Sequence, residues 1–322
     1  MATPTWSQTV DSLFTSTWSH RKEKAVEQAF KKTPLAFWLK EKGHVDSVSG
    51  ATRIEIPLDY GTNETVRWIG KGSNVPISDT EHLTMAYEDW KYVSVSVVRY
   101  GTDDQKNRGK AQLISLVDTK LNRAERAIWE EFERVFFADG TGPNEPNGLQ
   151  NIISTSPTTG TVHGLNRATY SWWRNQQKTA TGAASVYLVS DMRTQLNDII
   201  EYSRSEIEDI ILVTNQTVYE LYEDETLESK QIVNKTLGDA GFQNVVYKGR
   251  PLIWSPSAPS GNMYFVNAKY LKLMVDNEWF MDMTEWKVIP DQPHDRVAQI
   301  TCAMNLVTSR PIVLGVLSGI AA

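Results

Sequence analysis

Two carboxylates in one glycine- and proline-rich loop are the most chemically suggestive feature of this chain. The stretch "ADGTGPNEPNGLQNIIS", Ala138 to Ser154, holds Asp139 and Glu145, and a carboxylate pair is what general acid–base catalysis uses. The flanking Gly and Pro argue the other way, making Asp139 a turn residue and Glu145 a solvent-exposed acid. A phosphate loop needs G-x-x-x-x-G-K-[ST]. Gly70-Lys71 supplies its end, but Thr65 stands at the first glycine position and Gly72 follows the lysine. No G-x-G-x-x-G follows a strand. His20, His44, His82, His163 and His294 are scattered, and no H-E-x-x-H groups them for a metal. No G-x-S-x-G elbow marks a nucleophile. Triad members meet only in space, so a soluble hydrolase with its site in the later α+β region stands as the rival from another class. The N-x-T sequons at Asn63, Asn215 and Asn234 carry meaning only in a secreted chain. The expectation is a protein that is not an enzyme, with no catalytic residue, cofactor or metal.

Composition narrows the classes further. The 33 basic and 39 acidic residues give a net charge of −6, unlike a protein that grips nucleic acid by its phosphates. At 322 residues, 40% hydrophobic and 22% charged, the chain is globular and long enough for one large or two ordinary domains. Eleven Trp and twelve Tyr suit either a Trp-rich core or interaction surfaces. Cys302 is the only cysteine, so no intrachain disulfide forms and cytosolic folding is expected. "MATPTWSQTVDSLF" lacks the basic start and apolar run of a signal peptide. The C-terminal "PIVLGVLSGIAA" falls short of the roughly twenty residues a bilayer needs, and reads as a buried final strand. No membrane partner is expected.

The elements that would position these residues come in an unusual order. "HRKEKAVEQAF" has helical spacing at Val26, Ala29 and Phe30. A short helix follows, with Thr33 as its cap, Pro34 at its first position and Gly43 as its stop. Its Phe37, Trp38 and Leu39 must dock on something. A long hairpin is next: Ile54, Ile56, Leu58 and Tyr60 alternate, as do Leu83, Met85 and Tyr87, then Val93, Val95 and Val97. Its tip carries Trp68 and Lys71, and an isolated two-stranded ribbon needs another surface to lie on. From Ala111 to Phe137, Leu113, Leu116, Val117, Leu121, Ala124, Ile128, Phe132, Val135 and Phe136 form one helical stripe, with Glu130 and Arg134 at pairing distance on the other face. In the loop that follows, glycines and Asn147 supply positive φ and the prolines stiffen the exit. Beyond it, "VYLVS" reads as a strand, "DMRTQLNDIIEY" as a helix, "DIILV" as a strand and "NQTVYELYEDE" as a helix capped by Asn215. "NVVYKGRPLIW" reads as a hairpin turning at Lys248-Gly249. "MYFVN", "YLKLMVD" and "RVAQITCAMNLVTS" read as strands.

Helical arm, long hairpin, strut helix, Gly/Pro joint, α+β unit and long return strands, taken in that order, resemble the major capsid proteins of tailed bacteriophages, which share the Hong Kong 97 shell fold. "EEFERVFFADGTGPNEPNGLQNII" looks like the family's spine-helix end and the Pro-x-Gly-Leu-x-x-Ile-Ile segment, here Pro146 to Ile153. "YKGRPLIWSPSAPSGNMYFVNAKYLKL", Tyr247 to Leu273, looks like strands of its axial domain, and "NLVTSRPIVLGVLSGI" like its closing strands.

The resemblance implies an α+β fold in five parts: an N-terminal arm (1–50), an extended β-hairpin loop (51–100), a peripheral domain with the spine helix (101–160), an axial domain (161–275), and return strands with the C-terminal strand (276–322). The implied function is self-assembly into hexamers and pentamers of an icosahedral shell around double-stranded DNA, held without sequence-specific binding. Portal and scaffolding proteins, and decoration proteins, are the implied partners. The implied location is the virion, with assembly in the host cytoplasm. Phe37, Trp38, Leu39, Trp68 and Lys71 are the expected inter-subunit contacts. Some members cross-link through a lysine in the extended loop, where Lys71 lies, but no asparagine partner or catalytic acid is matched here. With the strut starting near Ala111, a long N-terminal scaffolding segment is not expected. A same-fold alternative is an encapsulin-like nanocompartment shell, which packages enzymes.

Overall fold

The computed structural model describes residues 10–19, 21, 33–61, 65–74, 82–102, 110–203, 209–226 and 245–321. The expected helical spacing at Val26, Ala29 and Phe30 lies outside these residues, as does the side chain of Leu113. Fifteen strands are described: β1 (Val45–Val48), β2 (Ile54–Asp59), β3 (Leu83–Glu88), β4 (Lys91–Arg99), β5 (Thr161–Val162), β6 (Leu165–Asn166), β7 (Gln176–Thr179), β8 (Ile210–Thr214), β9 (Val245–Tyr247), β10 (Arg250–Trp254), β11 (Met263–Asn267), β12 (Leu271–Met283), β13 (Lys287–Ile289), β14 (Gln292–Thr308) and β15 (Gly315–Ser318). Together with the helices they make an α+β fold.

The long return strand is the organiser of one sheet. β14 runs 17 residues and takes β12, β13 and β4 as antiparallel partners, with β1 added parallel to β12. The run His82–Tyr100 therefore divides. Only β3 pairs with β2 in the ribbon, while β4 leaves it and lies on β14 with Val97 opposite Ala298 and Val93 opposite Cys302.

Against this sheet lies the helix Lys110–Phe136, 27 residues long and so about 40 Å. Val117, Leu121, Ala124, Ile128, Phe132, Val135 and Phe136 are all buried on it, the stripe that helical periodicity dictates. Arg134 does not take Glu130 as its partner. It forks onto both carboxylate oxygens of Glu131 (2.7 and 2.9 Å) and reaches Glu145 at 2.8 Å, because the following loop brings Glu145 back beside the helix end. Glu145 is thus engaged, not a freely solvated acid.

The loop is a joint, held by close approach more than by positive φ. Gly140 is left-handed (φ 68°), but Asn147 is not. Its backbone N–H instead donates to Asn305 Oδ1 at 2.9 Å, tying the joint to β14. A β-carbon on Gly148 would sit 2.6 Å from the Val135 carbonyl oxygen and closer still to the Ala138 backbone, so only glycine fits. Asp139 accepts from the Thr141 N–H and hydroxyl at 3.1 and 2.8 Å, the turn role expected of it. Beneath the joint, the buried Arg167 guanidinium donates to the Ile152 carbonyl, and burial pulls its pKa down to about 10.

The second sheet runs β7-β15-β11-β8-β10-β9, with helices Ala184–Ser203 and Gln216–Thr226 on one face. β8 is buried throughout; Ile211 and Val213 face the first core, Ile210 and Leu212 the second. "VYLVS", Val186 to Ser190, is not a strand but part of the Ala184–Ser203 helix. Leu188, Met192, Leu196 and Ile199 are buried along one helical stripe, and that longer period absorbs the short apolar run. The Lys248-Gly249 turn is present with both residues at positive φ (47° and 81°). Asn215 Oδ1 accepts from the Val218 N–H at 3.3 Å, capping its helix.

At the N-terminal end, residues 10–19 are helical and bury Val10, Phe14 and Trp18. In the helix Pro34–Glu41, Thr33 makes no side-chain capping bond. Its side chain is buried, and its carbonyl accepts from the Phe37 N–H at 2.9 Å. Gly43 ends the helix at φ 73°.

Candidate assembly surface

The ribbon of β2 and β3 has two unlike faces, set by its register. Ile54 lies opposite Glu88, Ile56 opposite Ala86 and Leu58 opposite Thr84, while Glu55 faces Tyr87, Pro57 faces Met85 and Asp59 faces Leu83. Residues directly opposite share a face. The two apolar rows therefore fall on opposite sides. The inner face buries Ile54, Leu58 and Ala86, whereas Leu83, Met85 and Tyr87 are 77%, 51% and 47% exposed.

The inner face is fixed by packing. Leu58 and Ala86 join Leu165 and Trp173 in one buried cluster, and Ile54 joins Trp90, Ala303 and Val307 in another. Tyr60 stacks on Trp172 with ring centroids 5.0 Å apart. At the ribbon base, the two-residue turn His163-Gly164 joins β5 to β6 with φ values of 50° and 78°, the positive pair that such a hairpin needs. This turn presents the buried His163. The Thr308 N–H donates to His163 Nε2 at 3.1 Å, so Nδ1 carries the proton and donates to Glu88 Oε2 at 2.9 Å. Burial pushes the Glu88 carboxyl up, yet the hydrogen bonds it accepts, from His163 first and then from Asn147 and the Asp89 backbone, outweigh it and hold the pKa below its ordinary value.

The tip is knitted by its own polar groups. The Ser73 N–H donates to the Gly70 carbonyl and the Gly70 N–H to Ser73 Oγ, both at 3.1 Å, with Gly72 at φ 83°. Arg67 donates to the Asn74 carbonyl. Val66, Trp68 and Ile69 are left outside, and Trp68 is fully exposed.

The five expected contact residues separate. Trp68 and Lys71 are both exposed on the tip. Trp38 and Leu39 are not available to a neighbour: they are 4% and 0% exposed, packed in the first core of their own chain with Phe37 partly buried against it. The greasy arm helix does dock, on its own subunit. Strand alternation puts Glu55 and Asp59 on the face opposite Ile54 and Leu58, and the cross-strand register puts Leu83 and Met85 there with them.

Among the described residues, no three His, Cys, Asp or Glu side chains come together as metal ligands. No helix among them is long and apolar enough to cross a membrane. Asp139 and Glu145 are engaged by Thr141 and Arg134 respectively.

No protein-family model matches the chain, and no curated protein does. Solved structures do match it over most of its length. The capsid of cyanophage A-1(L) aligns with a TM-score of 0.62 at 16% identity, over 87% of this chain and 91% of that one. The capsid of a native GTA particle aligns at 0.60 and 11% identity, over 88% and 91%. The holo-SrpI encapsulin complex from Synechococcus elongatus PCC 7942 aligns at 0.52 and 11% identity, over 86% and 85%. Identities this low show the fold, and the fold is the Hong Kong 97 shell fold.

Proposed function

We propose that this chain is a major capsid protein of a tailed bacteriophage, assembling into hexamers and pentamers of an icosahedral shell around double-stranded DNA. The observation that carries the reading is the ribbon. Its tip and outer face present Val66, Trp68, Ile69, Leu83 and Met85 to solvent, on a fold shared with capsid and encapsulin shells. Exposed apolar surface of this kind marks an interaction site, and burial there is worth about 25 cal/mol per Å². Repetition around a closed shell multiplies each weak contact. The net charge of −6 suits a wall that neither wraps nor traps its DNA. Portal, scaffolding and decoration proteins are the further partners of this reading, and assembly takes place in the host cytoplasm. No catalytic residue belongs to it.

The encapsulin match supports a second reading, a shell around a protein cargo. Electron microscopy of the expressed protein, with nuclease digestion of its contents, tests both. Closed shells protecting double-stranded DNA in the infected host support the capsid. Shells holding one co-purifying enzyme support the nanocompartment. A monomer at every concentration, with and without co-expressed scaffold, overturns the shell reading altogether.

A further inference from the structure

Asn147 is the one asparagine of the chain that precedes a glycine. We propose that Asn147-Gly148 is a latent deamidation site, held shut by the folded joint and converted once the joint opens. Glycine has no β-carbon, so nothing shields its backbone nitrogen from the preceding carboxamide. In the reaction the Gly148 nitrogen attacks Asn147 Cγ and forms a new C–N bond. The Cγ–Nδ2 bond breaks, and Nδ2 leaves as ammonia with the proton that the Gly148 nitrogen gives up. Water then opens the five-membered succinimide at either carbonyl. One product is aspartate; the other is isoaspartate, whose main chain runs through the β-carbon.

The closed joint opposes the first step. Asn147 is only 8% exposed, which keeps back the solvent base and the water that the reaction consumes. Its Oδ1 accepts from Asn151 Nδ2 at 2.6 Å, and its amide nitrogen is turned to the Glu88 carboxylate. Its backbone N–H donates to Asn305 Oδ1 at 2.9 Å. The carboxamide therefore cannot swing onto the Gly148 nitrogen without giving up ties to the Leu149–Ile152 helix and to the ribbon base. Both products oppose closing again. Aspartate at 147 would set a second carboxylate against Glu88, and like charges at one site disfavour each other. Isoaspartate adds a main-chain carbon beside Gly148, where even a β-carbon would lie 2.6 Å from the Val135 carbonyl oxygen. Conversion is thus one-way, and it frees the joint from β3 and β14.

The test is peptide mapping by mass spectrometry of the full-length protein held at mildly alkaline pH, with isoaspartate scored by enzymatic methylation. Residue 147 of the native chain should convert more slowly than in urea by on the order of ten-fold or more, since only the open fraction reacts. Asn305→Ala and Asn151→Ala each remove one tie, and each is checked for a native circular dichroism spectrum. Either should raise the native rate several-fold towards that in urea. Asn147→Asp reproduces one product and should lower the denaturation midpoint at neutral pH. Adding Glu88→Gln should return part of that loss, because the facing charge is then gone. Equal conversion of native and urea-treated wild type overturns the proposal, as does a native rate that neither folded variant raises. So does an Asn147→Asp chain as stable as wild type, since its joint would close again.

Discussion

His163 Nδ1 lies 2.9 Å from Glu88 Oε2, a charge-assisted bond that joins the β5–β6 turn to the ribbon base. Since the Glu88 carboxyl is held below its ordinary value, the folded state binds its proton less readily than the unfolded chain does. Its stabilisation is complete above the unfolded pKa of about 4.5 and is lost as pH falls through the lower folded value. Thermal melts between pH 6 and pH 3 should lose part of their pH dependence in Glu88→Gln. His163→Ala, which also strips the Thr308 N–H of its acceptor, should cost about 1–3 kcal/mol at neutral pH. A melting curve of Glu88→Gln parallel to wild type throughout would remove this bond from the account.

Gly148 tests the joint. The space a β-carbon would need there is taken by the Val135 carbonyl and the Ala138 backbone, neither of which can swing aside like a long side chain. Gly148→Ala should therefore destabilise by about 1–3 kcal/mol through overpacking. Gly160 sits at φ 86°, and a β-carbon there would meet nothing within 4 Å. At that position the substitution should cost only the left-handed strain, about 1 kcal/mol. Denaturant midpoints for the two variants decide whether close approach or torsion dominates.

Two tryptophans separate folding from assembly. Trp38 is 4% exposed and packed in the core, so Trp38→Ala should cost about 3–5 kcal/mol of stability. Trp68 is fully exposed, so Trp68→Ala should leave stability within about 0.5 kcal/mol and weaken assembly. Chemical denaturation reads the first effect and sedimentation the second. A Trp68→Ala chain that assembles as wild type does would leave the tip as a solvated loop.

These residues also mark how far the sequence speaks. The helical stripe from Val117 to Phe136, the long β14 strand and the Lys248-Gly249 turn follow from periodicity and turn chemistry, which are local. "VYLVS" is illegible because a short apolar run fits a strand or a buried helix equally well until its neighbours' burial is known. Trp38 and Leu39 announce that they must be covered, but not by which chain. The outward aim of Leu83 and Met85 depends on the parity of the β2–β3 register, which a long loop sets and a one-residue slip would reverse.

The N-terminal helix is part of the core. Phe14 meets Trp286 edge-on at 5.0 Å, and Trp18 Nε1 donates to the Met281 carbonyl at 3.2 Å, where Met281 holds a left-handed φ of 55°. The Asp11 carboxylate bridges Arg99 on β4 and Arg296 on β14. The Arg99 side chain is only 2% exposed, and losing a buried partner charge costs far more than losing a surface one. Asp11→Asn should therefore destabilise the fold, because Arg99 and Arg296 both lose an anionic acceptor, and Asp11→Glu by less, since it keeps the charge. Removing residues 1–43 would uncover Trp286, Met281 and the core face opposite Trp38, so that truncation should unfold the β14 sheet as well as abolish shells. Near-ultraviolet circular dichroism of the truncated chain checks this: a native aromatic spectrum would show that the helix is a detachable arm.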